Sequence, residues 1–137
     1  MKLLSLHCDY IKFKPLKKAL KSPEELSDER KKEILVKETL VIMIAVEKND
    51  EKNNKLISHV TKEIEDIAYQ VKTDKIVIYP YAHLSSSLSN PDFALSTLEK
   101  IEKELSIKFK IVRAPFGYYK EFELKVKGHP LSELSRE

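Results

Sequence analysis

Three stretches of this chain carry side chains that a purely structural domain has no need of. The first, Tyr79-Pro80-Tyr81-Ala82-His83-Leu84-Ser85-Ser86-Ser87, leaves the carboxyl end of an apolar run and continues as a polar loop to Asn90. Strand ends that open into long polar loops are where α/β-type sheets place ligands. His83 could donate, accept or shuttle a proton near neutral pH, or it could be a loop histidine tied to backbone. The serines could supply a nucleophile, although a serine run ahead of a helix cap is usually only loop.

The second stretch is Arg113-Ala114-Pro115-Phe116-Gly117-Tyr118-Tyr119-Lys120-Glu121. Pro115 and Gly117 suit the second and fourth positions of a type I turn. In the strand that follows, alternation puts Lys120 on the same face as Tyr118, Phe122, Leu124 and Val126. A buried ammonium needs an anion, a ligand or a lowered pKa; alternatively Lys120 snorkels outward from the first turn of the strand. The third stretch, Lys127-Gly128-His129-Pro130-Leu131-Ser132-Glu133, ends the last long strand and brings Glu133 to the start of the next segment. There it is either a site carboxylate or an acid favoured by a helix N-terminus.

Negative findings narrow the chemistry. Only Gly117 and Gly128 are available, so no glycine-rich phosphate loop exists, and no Gly-x-Ser-x-Gly elbow is present. Kinase, dehydrogenase and serine-hydrolase readings fall. The four histidines lie far apart and Cys8 is the single cysteine, so neither a zinc motif nor an internal disulfide is expected, and no metal or cofactor is assigned.

The elements that must position these groups follow from periodicity. The 137 residues suit one domain, 1–137, with its own core. Lys2–Cys8 and Tyr10–Lys14 read as two strands joined tightly at Asp9, and Ile34–Val46 as a long third strand. Ser22-Pro23-Glu24-Glu25 resembles a short helix start. Ile57, Val60, Ile64, Ile67, Ala68 and Val71 recur at helical spacing. Asn90-Pro91-Asp92 is a strong N-terminal helix signal, ahead of a stripe of Ala94, Leu95, Leu98, Ile101 and Leu105. Lys75–Pro80, Ile107–Arg113 and Tyr118–Val126 complete the strands. The expected class is α+β, a mixed or antiparallel sheet covered on one face by two helices, in the order β-β-β-α-β-α-β-β. The last residues, Ser132–Glu137, look like an uncapped helix start, as if more polypeptide follows.

Charge adds a partner class. The net charge is only +3, but Lys12–Lys21 holds five lysines and no acid, and a second basic region spans Leu105–His129. Basic regions beside aromatics suit nucleic acid, or are ordinary solvated lysines. No apolar run approaches the ~20 residues that span a bilayer, and the N-terminus lacks a signal-peptide cleavage site; a cytoplasmic protein is expected.

Taken together, His7-Cys8-Asp9-Tyr10, Tyr79–Ser86, Ala114–Lys120 and Lys127–Arg136 resemble the N-terminal editing domain of archaeal threonyl-tRNA synthetase. The resemblance covers essentially the whole chain. It implies a fold like that of D-aminoacyl-tRNA deacylase, a homodimer, and hydrolysis of serine wrongly esterified to threonine tRNA. Val46, Pro80, Tyr81, Ala82 and Phe116 would line the serine pocket. Tyr119 and Lys120 would hold the acyl end near the attacking water, while His83 and Glu133 complete a polar network around the amino group and terminal ribose. The 2′-hydroxyl of the tRNA would help to activate water. The Gly-Pro dipeptide with which the deacylases exclude L-amino acids is absent, so L-serine is admitted. Two alternatives stand beside this reading: a non-catalytic RNA- or amino-acid-binding module, and a free-standing D-aminoacyl-tRNA deacylase.

Overall fold

A computed structural model describes all residues, 1–137. Strands β1 (Lys2–Lys18), β2 (Ile34–Ala45), β3 (Lys75–Pro80), β4 (Lys110–Arg113), β5 (Tyr118–Val126) and β6 (Glu133–Arg136) form one mixed sheet, with helices α1 (Leu56–Val71) and α2 (Pro91–Leu105). The path is β4-β3-β2-β1-β5, with β6 also on β1. Pairing is parallel from β2 through β4 and antiparallel around β1. The expected α+β class therefore holds, with four differences in detail.

The two expected N-terminal strands are one. Asp9 does not end β1; it marks an irregularity in the pairing with β5 between Cys8 and Tyr10. Opposite it, between the pairs Cys8–Thr39 and Tyr10–Lys37, Glu38 takes a left-handed φ of 50°. Both strands change parity at this level. Leu6 and Cys8 share a cluster with Ile11 and Phe13, while Leu40, Ile42 and Ile44 face the helices and Ile34 and Val36 face the other side. A local kink with added twist is what lets a strand switch faces without losing its ladder. Lys127 fastens it, its Nζ lying 2.7 Å from both Asp9 and Glu38.

The helices cover one face, as periodicity required. Val60, Ile64 and Ile67 of α1 and Ala94, Leu98 and Ile101 of α2 pack on Ile42, Ile44, Ile76 and Ile78. Thr97 is buried in α2, whereas Leu95 is only half-buried. The predicted cap is realised: the Asp92 amide donates to Asn90 Oδ1 at 2.8 Å. The opposite face is closed by the sheet itself. Only residues 114–117 separate β4 on one edge from β5 on the other, and at ~3.5 Å per residue so short a link requires a strongly curled sheet.

The remaining differences lie in polar segments. Ile107–Phe109 is not strand, and β4 begins at Lys110. Ser22–Glu25 forms no helix, because Glu24 is drawn into the interior by arginines described below. Ser132–Glu137 is not a helix start either, since β1 offers an open edge and β6 fills it opposite Leu3–Leu6. His7 organises this junction: its Nδ1 lies 2.7 Å from His129 Nε2, and its backbone amide donates to Ser132. Next to it, the Ser5 hydroxyl is buried with no hydrogen-bond partner. Removing an unsatisfied buried hydroxyl relieves its desolvation cost, so Ser5→Ala is expected to raise stability by about 1 kcal/mol in thermal or denaturant unfolding.

Candidate functional site

The carboxyl ends of the three parallel strands meet the start of β5, and a cavity of about 450 Å³ lies between them, a size typical of small-molecule sites. β2 delivers Val46, β3 delivers Pro80 and Tyr81 with Ala82 and His83 behind them, and the loop after β4 delivers Phe116. Tyr119 and Lys120 enter from β5. Eight of the nine residues assigned to a site from sequence thus share one mostly apolar cavity.

Glu133 is not among them. It is exposed in β6, opposite Leu6, with no ion pair or hydrogen bond of its side chain within the chain, and it does not line the cavity. It does not cap a helix either, because none starts there.

Lys120 takes the inward register of β5. Its ammonium donates to the carbonyl oxygens of Pro115 at 2.8 Å and Tyr118 at 3.3 Å, and sits 5.0 Å from the centre of the Tyr79 ring. No carboxylate touches it. Burial therefore pushes Lys120 down from 10.5 to about 8, against a smaller opposing effect of the Glu24 charge. Tyr79 itself is raised by burial, and with Phe122 and Tyr81 it builds an aromatic wall, the Tyr79 and Phe122 rings 5.2 Å apart.

His83 stands at the exposed rim in a single helical turn, Ala82–Leu84, its ring 5.3 Å from that of Tyr81 and without a hydrogen bond to the chain. It is not tied to backbone. Ser85 does not line the cavity; its hydroxyl donates to Glu47 at 2.6 Å. Glu47 also lies 2.9 Å from the terminal ammonium of Met1, which is buried and equally close to Asp50. These contacts hold the loop after Val46 in place.

Sequence reasoning missed the segment that closes the cavity from outside. Ala19 and Leu20, at the end of the basic run, line it, and their amides donate to the Gly117 carbonyl. Gly117 has φ +86°, and a Cβ there would lie 2.7 Å from the Pro23 side chain, so glycine is required both for conformation and for contact. No hydrogen bond closes the expected type I turn; the Phe116 and Gly117 carbonyls accept from residues 19–24 instead.

At the centre of that segment Glu24 is buried and bidentate with Arg113, both bonds 2.8 Å. Arg30 adds a contact at 2.6 Å, and the Phe116 amide donates to Glu24 at 3.0 Å. Burial acts to raise this carboxyl, but the two guanidiniums and the amide outweigh it and bring Glu24 down to about 2.

The profile of the archaea-specific editing domain of threonyl-tRNA synthetase matches residues 1–137. The chain belongs to this family. It is 51% identical over 138 residues to a threonine–tRNA ligase of Thermococcus gammatolerans, covering 99% of this chain and 22% of the relative. It is 52% identical over 138 residues to that of Methanosphaera stadtmanae and 46% over 138 residues to that of Pyrococcus horikoshii, with the same coverage. The editing domain thus spans about a fifth of the length of these relatives. Residues of the 79–86 and 114–120 segments both line its cavity.

Proposed function

We propose that this editing domain hydrolyses the ester of L-serine misattached to threonine tRNA. The observation that carries the reading is the Lys120 ammonium, held by two carbonyls at the wall of a small apolar cavity with no carboxylate in contact. An ammonium so placed favours negative charge developing on a bound ester. Water adds to the ester carbonyl, aided by the neighbouring 2′-hydroxyl of the substrate. The bond to the 3′-oxygen then breaks, that oxygen takes a proton, and serine leaves. With no general-base triad in reach, the protein contributes position and charge. Tyr119 and Lys120 hold the acyl end, the Val46–Tyr81–Phe116 walls exclude water, and His83 serves the amino group or ribose from the rim. Glu133 joins that network only if substrate or another chain brings it near.

The need for such a domain is physical. Serine lacks one methyl of threonine, which is worth only about 1–3 kcal/mol of discrimination in a synthetic site. The same reading has the domain acting in the cytoplasm as a homodimer, with the acylated 3′ end of tRNA as partner and with no metal or cofactor. Lys14, Lys17, Lys18 and Lys21 support that partner: they are exposed, free of ion pairs, and lead into the cavity wall at Ala19 and Leu20. No helix is long and apolar enough to cross a membrane.

Release of serine but not threonine is expected when the purified chain meets the two charged tRNAs, read as loss of acid-precipitable label. Seryl ester persisting as in buffer would refute hydrolysis; tight tRNA binding without cleavage would favour a non-catalytic binding module. Faster cleavage of a D-tyrosyl ester than of the L-seryl one would favour a D-aminoacyl-tRNA deacylase.

A further inference from the structure

We infer that Glu24 is a positioning residue for Lys120, acting through the 115–118 loop as the buried counter-charge of the cavity. The argument rests on connectivity. Glu24 grips the loop on both sides of Gly117: its carboxylate accepts from the Phe116 amide at 3.0 Å, its backbone amide donates to the Phe116 carbonyl at 3.2 Å, and its carbonyl accepts from Tyr118 Oη at 2.9 Å. The two oxygens that hold the Lys120 ammonium belong to Pro115, next to Phe116, and to Tyr118 itself. The loop that seats the ammonium is thus pinned by a residue nearly a hundred positions earlier in the chain.

The charge arrangement agrees. The titratable groups that line the cavity with Lys120 are Tyr79 from β3, Tyr81 and His83 from the following turn, and Tyr118 and Tyr119 from its own strand. None is a carboxylate. The one acid whose field favours the ammonium is Glu24. Glu24 is itself faced by Arg113 of β4 and by Arg30, and Arg113 is shared with Glu102 of α2 at 2.8 Å. The cluster holds two carboxylates and two guanidiniums, so it can place the loop without flooding the cavity with charge. An isolated structural ion pair would need no contact with the cavity wall; this carboxylate accepts from the Phe116 amide, and the main chain of Glu24 adds two further hydrogen bonds to the loop.

The inference rests on the proposed hydrolysis for its rate arm only. Glu24→Gln keeps the shape and one oxygen able to accept from the Phe116 amide, but removes the charge and the second acceptor that faces Arg113. Two quantities are measured on the full chain: seryl-ester cleavage, and the titration midpoint of Lys120 followed by its ¹³Cε resonance. Expected are a roughly tenfold lower kcat/KM and a midpoint lowered by about half a pH unit. An unchanged midpoint, whatever happens to rate or melting temperature, would make Glu24 merely structural and overturn the inference. If the parent chain cleaves no ester, the functional reading fails while the midpoint still decides Glu24. Should Glu24→Gln not fold, Glu24→Asp keeps the charge opposite Arg113 but withdraws one methylene from the Phe116 amide. Its cleavage is expected to fall about threefold, with parent-like cleavage overturning the inference.

Discussion

Lys120→Met is expected to lower seryl-ester cleavage by roughly a hundredfold or more, the effect of deleting one preorganised charge-stabilising group, while leaving the fold intact. Methionine preserves the length and apolar stem that pack near Tyr79, and it deletes the ammonium. Stability should not suffer. A drop from 10.5 to about 8 means that the charged form costs roughly 3 kcal/mol in the folded chain, at ~1.4 kcal/mol per tenfold change in proton affinity. The sign follows from linkage. Because the folded value is depressed, the cost is fully present below pH 8 and is relieved as pH rises toward 10.5. Removing the lysine removes that cost, offset by its two lost hydrogen bonds. A thermal melt at pH 7 should therefore show the variant no less stable than the parent. The parent's rate should in turn decline as pH rises through about 8 and the ammonium empties. Unchanged turnover in the variant would take Lys120 out of the site, and a rate rising above pH 8 would make it a base instead.

Arg113→Met is expected to destabilise the domain by about 3–5 kcal/mol, the cost of leaving a buried charge without its partner. Glu24 would retain Arg30 and the Phe116 amide but lose its bidentate contact. The melting temperature should fall by roughly 10 °C or more. The pH response is the sharper check. In the parent, the depressed Glu24 carboxyl contributes stability that is present above 4.5 and lost as pH falls toward about 2. In the variant that acid-side loss should shrink or reverse, because protonation then relieves the buried carboxylate. A melting temperature within about 2 °C of the parent would show the cluster to be nearly neutral in energy.

These two residues also mark how far reading the chain could go. Lys120 was legible because its place depends on a nine-residue strand whose alternation is local; the inward face was set by its neighbours at 118, 122, 124 and 126. The helices were legible for the same reason, and the Asn90 cap is a contact over two residues. The Glu24–Arg113 pair spans 89 positions. Nothing in Ser22-Pro23-Glu24-Glu25 distinguishes an acid destined for the interior from one at a helix start. β6 was missed because four mostly polar residues have no strand character of their own and take it from an edge that β1 leaves open. The continuity of β1 was missed for the converse reason, since Asp9 looks like a terminator when its partners Lys125 and Lys127 are out of view. Local pattern singled out the stretches that carry His83 and Lys120, and the resemblance added Val46 and Phe116 to the same cavity, which Glu133 does not line.

The position of β1 bears on how such a polypeptide matures as it leaves the ribosome. Its first long segment finds β2 early, but its other side waits for β5 and β6, the last strands of this domain to emerge. Until they emerge the nascent domain carries a row of unpaired backbone donors and acceptors, a template for association with other chains. The lysines at 12, 14, 17 and 18 along that same segment supply like-charge repulsion during the wait, a protective duty quite apart from any partner they later meet.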